Sequence, residues 1–144
     1  MLSGEYEHTL DEKNLLTLPA LFRPRFGEGL VLTRGMDNSL SIFSKEEFSR
    51  VIEARLTRLD PLSREGRLMH RFYFSGAVEV VPDRQGRVMV PQALLQSAEI
   101  EREVMVVGVF DHVEVLDRVA WLGYMKQVED NVDDAAERLA AQHD

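Results

Sequence analysis

Asp83-Arg84-Gln85-Gly86-Arg87-Val88-Met89-Val90-Pro91-Gln92-Ala93-Leu94 repeats, at an offset of 72, the pattern of Asp11-Glu12-Lys13-Asn14-Leu15-Leu16-Thr17-Leu18-Pro19-Ala20-Leu21-Phe22. Aspartate opens both stretches, an aliphatic residue followed by proline ends the run behind it, and Phe22 meets Leu94. Downstream the match resumes at an offset of 73, with Val31 on Val104, Gly35 on Gly108, Leu40 on Val113, Ile42 on Val115, Phe43 on Leu116 and Phe48 on Trp121. Recurrence on this scale marks a duplicated structural unit. The chain reads as two tandem copies of one small β-rich element.

Each copy enters its aspartate from an extended segment, residues 5–10 in the first and 77–81 in the second. A short turn follows the aspartate. Asn14 and Gly86 stand where a positive φ is called for, and both residue types tolerate it. A second strand comes next, at 15–18 or 87–90. Proline ends that strand and suits the first turn of a helix, which predicts short helices at 19–26 and 91–98. Alternating and β-branched residues predict strands at 30–34 and 39–43, and again at 104–108 and 112–116. Gly35-Met36-Asp37-Asn38 is a turn signal within the first pair.

A helical stretch follows each copy. Ser44 and Glu47 have capping-box spacing, and Phe48, Val51, Ile52, Leu56 and Leu59 keep helical spacing until Asp60-Pro61 interrupts it. A further helix at about 63–73 leads into the second copy. There Asp117 is the cap of a helix whose apolar stripe is Trp121, Tyr124, Met125 and Val128, and a separate acidic helix at 132–141 is expected to close the chain. Apolar stripes of this kind usually face a core. The fold class is α+β. The divisions expected are 1–58 for the first unit and its helix, 59–74 for a helical connector, 75–128 for the second unit and 129–144 for the acidic C-terminal helix.

A length of 144 residues, 44% hydrophobic and 29% charged, fits one domain or two small intertwined ones. No apolar run approaches the roughly 18 residues of a membrane span. The segment from Met1 to His8 lacks the basic start and apolar stretch of a signal peptide. A cytoplasmic protein with no membrane partner is therefore expected. The absence of cysteine excludes disulfides and thiolate metal sites. A formal net charge of −8 weighs against a nucleic-acid partner, which usually meets a basic footprint. The charge is unevenly spread, however. Residues 117–144 hold seven acids and three bases, while residues 50–71 hold six arginines against three acids. Binding responds to such local potentials more than to the total.

Gly4-Glu5-Tyr6-Glu7-His8-Thr9-Leu10-Asp11-Glu12-Lys13, Leu30-Val31-Leu32-Thr33-Arg34-Gly35, Phe74-Ser75-Gly76-Ala77 and the run Asp83-x-x-Gly86-Arg87-x-x-Val90-Pro91 together resemble the MraZ family, over about residues 1–128. The resemblance implies two tandem AbrB-like swapped-hairpin units with helical connections and C-terminal helices. It implies a sequence-specific, DNA-binding transcription regulator. Protomers would form a ring on direct repeats in the promoter of the cell division and cell wall gene cluster. The partners implied are double-stranded DNA and further copies of the chain, at the nucleoid, with no cofactor and no small-molecule ligand.

The family's Asp-x-x-x-Arg signature is present at Asp83 and Arg87. The first copy keeps Asp11 but has Asn14-Leu15 in place of Gly-Arg. Leucine cannot donate to a phosphate or a base edge, whereas arginine offers a charged planar fork. No DNA-contact role is carried to Leu15. Arg87 is the first candidate for DNA contact, Arg84 the second, and Lys13 a partial substitute in the first copy. Asp11, Asn14, Asp83 and Gly86 are expected to shape the turns or orient an arginine. For Arg87 a salt bridge to Asp83 is the competing reading, and both can hold. Arg84 reads equally as a solvated turn residue. Arg64, Arg67 and Arg71 share a helix face and read as solvated or subunit-facing.

An enzyme is disfavoured. His8, His70, His112 and His143 have no metal-ligand spacing, and no Gly-x-Ser-x-Gly, His-Glu-x-x-His or phosphate-binding loop is present. Gly27-Glu28-Gly29 reads as a turn. No catalytic residue and no metal site is assigned. A ring that serves protein interaction alone is the other alternative, favoured by the acidic balance and by Leu15.

Overall fold

A computed structural model describes residues 1–143. In chain order the first copy contributes β1 (Leu2–Thr9), β2 (Leu15–Thr17), α1 (Arg23–Phe26), β3 (Leu30–Arg34) and β4 (Leu40–Ser44). Then come α2 (Lys45–Glu47), a π-helical segment (Phe48–Glu53), α3 (Ala54–Leu56) and α4 (Arg64–Phe74). The second copy contributes β5 (Val78–Val80), β6 (Arg87–Met89), α5 (Gln92–Ser97), β7 (Glu103–Phe110) and β8 (Val113–Asp117), and α6 (Arg118–His143) follows.

The copies exchange strands. β1 of the first pairs antiparallel with β7 of the second, and β5 of the second pairs with β3 of the first. The resulting six-stranded sheet, in the order β1-β7-β8-β4-β3-β5, is symmetric about the β8–β4 seam. β2 and β6 form a separate two-stranded ladder. Neither copy completes its own sheet, so the two are one α+β fold, the swapped-hairpin arrangement. Between sheet and ladder lies one shared core, in which Leu16, Leu18, Val88 and Val90 meet Leu30, Leu32, Val104, Val106, Phe22 and Phe26.

The outer sheet face is covered by the helices that follow each copy. Phe48, with Val51 and Ile52, packs on Val31 and Phe43. Trp121, with Met125, packs on Met105, Val107 and Leu116. Ser44 caps α2 by accepting the Glu47 N–H at 3.1 Å, and Asp117 accepts from Ala120 at 3.0 Å at the start of α6.

Register corrects one part of the repeat alignment. Leu30 and Leu32 face the shared core, as do Val104 and Val106. In β3 and β7 the equivalent positions therefore differ by 74, so Leu30 rather than Val31 matches Val104. In β4 and β8 the offset is 73. The missing residue is in the hairpins: Gly35 N–H bonds to Ser39, but Val109 N–H bonds to His112. A one-residue slip turns every side chain to the opposite face, and residue similarity alone does not resolve it in strands apolar on both faces.

Two helical expectations also change. The helix expected at 19–26 is α-helical only at Arg23–Phe26, behind a turn in which Phe22 bonds back to Pro19. Pro24 has no N–H to offer Ala20, so the helix cannot run through. The two helices expected after Asp117 are one, α6. From Tyr124 onward the sequence has no glycine or proline to stop a helix, and its alanines at 135, 136, 140 and 141 favour propagation.

Gly4 and Gly108 face each other where β1 meets β7. A Cβ on Gly108 would stand 2.4 Å from the Ser3 backbone nitrogen and 2.7 Å from the Leu2 carbonyl carbon. Gly108→Ala is therefore expected to part these strands at a cost of roughly 1–3 kcal/mol. Thermal unfolding should show the loss, and amide exchange should show β1 opening first. An unchanged melting curve would mean the strands yield freely.

Candidate nucleic-acid interface

The two aspartate turns are built alike from backbone hydrogen bonds. The Asp11 carboxylate accepts the N–H of Lys13 and of Leu15, each at 2.9 Å. The Asp83 carboxylate accepts those of Gln85 and Arg87, also at 2.9 Å. Asn14 and Gly86 close the turns with positive φ, 60° and 75°. Their carbonyls then cross to the other copy: Asn14 accepts the Val90 N–H at 3.0 Å, and Gly86 the Leu18 N–H at 2.8 Å. The turns flank a ladder of three residue pairs, Leu15 to Met89, Leu16 to Val88 and Thr17 to Arg87. Such a ladder spans roughly 7 Å, so the turns are close neighbours.

Both carboxylates titrate below the ordinary aspartate value of 3.8. For Asp11 the main cause is the Leu15 N–H, with further help from Lys13 and Arg87. For Asp83 it is the Arg87 N–H, followed by the Arg87 side chain. A depressed folded pKa contributes stability that is present above the unfolded value and lost as pH falls through the folded one. The turns should therefore loosen below about pH 4. NMR titration of the Leu15 and Arg87 amides should show this in wild type. In Asp11→Asn and Asp83→Asn the same amides should be insensitive to acid, and acid sensitivity persisting there would assign it elsewhere.

Arg87 is held but not consumed. Its Nε donates to Asp83 Oδ2 at 2.7 Å, and the side chain is 43% exposed. Among the described residues neither Nη1 nor Nη2 has a further hydrogen-bond partner. Arg87 lines an open hollow of about 410 Å³ together with Asp11, Glu12, Lys13, Leu15 and Arg102. The strand crossing thus brings Lys13 and Leu15 of one copy against Arg87 of the other. Arg84 is exposed on the second turn and does not line the hollow. Arg102 has no signal in the repeat, because its equivalent at the β7 offset is Glu28. Its Nη2 donates to the Leu10 carbonyl at 3.3 Å. His8, likewise, accepts the Thr17 N–H at Nε2 and serves the ladder.

The sequence profile described as "MraZ protein, putative antitoxin-like" matches residues 1–69 and again residues 73–143, one match for each copy. The chain belongs to the MraZ family. A Transcriptional regulator MraZ of a Thermoanaerobacter species is 40% identical over 139 residues, covering 96% of each chain. The protein of that name from Acetivibrio thermocellus is 39% identical over 140 residues, 97% of each. That from Clostridium tetani is 40% identical over 124 residues, 86% of this chain and 87% of its own. These MraZ relatives carry the name of a regulator and not of an enzyme. No helix among the described residues is long and apolar enough to cross a membrane.

Proposed function

We propose that this chain is a sequence-specific DNA-binding regulator of transcription, acting as a ring-shaped oligomer on promoter direct repeats of the cell division and cell wall gene cluster. Membership of a family whose curated members are named transcriptional regulators supports the regulator. The observation that carries the contact scheme is the Arg87 guanidinium, fixed at Nε by Asp83 with neither Nη bonded among the described residues. A guanidinium so held loses little freedom on binding, and its fork suits a phosphate or a guanine edge. Lys13 and Arg84 supply charge beside it. Asp11, Asn14, Asp83 and Gly86 set the turns that present these cations. The turns are presented by the two copies, 1–58 and 75–128, which 59–74 joins and the acidic stretch of 129–144 follows.

Each protomer needs few contacts, since linked modules on tandem sites raise the total affinity without any new contact. The protein acts at the nucleoid, with no cofactor. Chromatin recovered with the cross-linked protein should be enriched in DNA upstream of the division and cell wall genes. Uniform recovery across the chromosome would contradict this reading. It would favour a ring that binds only proteins, the alternative to which Leu15 and the net charge of −8 point.

A further inference from the structure

The strand exchange closes the two aspartate turns differently. Beyond the last pair of β1 and β7, Thr9 with Glu103, the ladder runs one pair further. The Leu10 N–H donates to the Arg102 carbonyl at 2.9 Å, and Arg102 Nη2 donates back to the Leu10 carbonyl at 3.3 Å. Arg102 belongs to the second copy, yet this clasp holds its side chain against the Asp11 turn of the first. The Asp83 turn cannot form the same clasp. Its residue equivalent to Leu10 is Pro82, which has no N–H to donate. The equivalent of Arg102 is Glu28, an acid. The two differences between the copies are complementary. Beside the turn that carries Arg87 stands a glutamate, and beside the turn that carries Leu15 stands an arginine.

Charge around the hollow gives this a consequence. Its ionisable lining groups are Asp11 and Glu12 against Lys13, Arg87 and Arg102. Without Arg102 two acids would balance two bases, and the hollow would offer an anion no net attraction. Arg102 therefore sets the local sign, which governs attraction of a polyanion to a chain of formal net charge −8. Arg102 is exposed, and among the described residues no carboxylate lies within ion-pair distance of it. Its charge is not spent within the chain.

We infer that Arg102 contacts a DNA backbone phosphate and supplies, from the second copy, the cation that the first turn lacks at Leu15. The choice of phosphate follows from how the side chain is held. Asp83 fixes Arg87 through a charged bond of 2.7 Å at Nε, which aims the Nη pair as a base edge requires. Arg102 is tethered by a longer bond to a neutral carbonyl, enough to station a charge but not to aim a fork. Phosphate oxygens accept from many directions, and contacts to them set position rather than read sequence. The inference rests on the DNA-binding reading proposed above and adds a residue to it.

Anisotropy titrations on promoter and scrambled duplexes across a salt series test it, with thermal melting as the check on folding. Arg102→Ala removes donor and charge, Arg102→Gln keeps a donor for the Leu10 carbonyl without the charge, and Arg102→Lys keeps the charge. Alanine and glutamine should weaken binding to both duplexes alike, by about thirtyfold, since the loss recurs at every protomer engaged. They should also lower the salt slope by about one per protomer, while lysine leaves both values near wild type. Adding Leu15→Arg to Arg102→Ala should return affinity and slope to wild type, a gain about threefold larger than Leu15→Arg makes alone. Should Arg102→Ala melt early, the glutamine and lysine variants carry the comparison. Arg102→Gln binding like wild type would make Arg102 a turn clasp only and overturn the inference. So would an unchanged salt slope, a loss confined to the promoter, or equal gains from Leu15→Arg in the two backgrounds. A wild type with no affinity for either duplex at low salt would overturn this inference and the DNA reading together. Arg87→Ala weakening promoter binding while Arg102→Ala does not would overturn this one alone.

Discussion

Leu16→Ala is expected to destabilise the protein by about 3 kcal/mol and to lower its thermal midpoint by roughly 10 °C. Leu16 is fully buried at 0% exposure, in the middle of β2 and opposite Val88. The ladder it belongs to has only three residue pairs, so hydrogen bonding alone holds it weakly. What fixes it is the burial of Leu16, Leu18, Val88 and Val90 against the six-stranded sheet. Removing most of one leucine side chain forfeits roughly 0.8 kcal/mol per methylene and leaves a cavity that the crossed strands cannot collapse into. Met89 provides the control. It pairs with Leu15 in the same ladder but is 59% exposed, so Met89→Ala should change stability by no more than about 0.5 kcal/mol. Denaturant unfolding of both variants measures the contrast. Equal effects would mean that the ladder, and not its buried face, carries the stability.

Arg87→Ala is expected to reduce affinity for promoter DNA by at least about a hundredfold, with stability nearly unchanged. One well-placed arginine contact contributes roughly 1–3 kcal/mol. In a ring the loss recurs at every protomer engaged, and avidity compounds it. The side chain is exposed and its partner Asp83 is exposed as well, so little folding energy depends on the pair. The first copy offers the opposite experiment. Leu15 lines the same hollow as Arg87 but supplies no donor. Leu15→Arg, at a position whose backbone N–H the Asp11 carboxylate already accepts at 2.9 Å, should strengthen binding about tenfold. Anisotropy titrations would register both changes. An Arg87→Ala protein that binds as tightly as wild type would remove Arg87 from the interface.

The parts of this fold that the sequence announces are those set by local rules. Asp11 and Asp83 announce turns because a carboxylate can gather the two N–H groups that follow it. Asn14 and Gly86 mark the positive φ because few other residues tolerate it. The strand exchange is visible only through family resemblance, since no local periodicity says which copy of β1 pairs with β7. The register of β3 against β7 is hidden for a related reason. Val31 and Leu32 are both apolar and both buried, one on each face, so alternation gives no phase. Arg102 reaches the candidate interface through a contact with Leu10 92 positions away, and nothing near it in the chain signals that. The unity of α6 is masked by its acids, which break the apolar pattern without breaking the helix.

Recognition of DNA by the cations on the two turns, as proposed above, has a direct readout in fluorescence anisotropy of this protein on the DNA upstream of its own gene, compared with a scrambled duplex across a salt series. Tight binding to the promoter is expected, at least about a thousandfold over the scrambled duplex by the usual range for specific binders, with affinity falling linearly on a logarithmic salt axis. Equal affinity for the two duplexes at low salt, with the assembly intact, would contradict it.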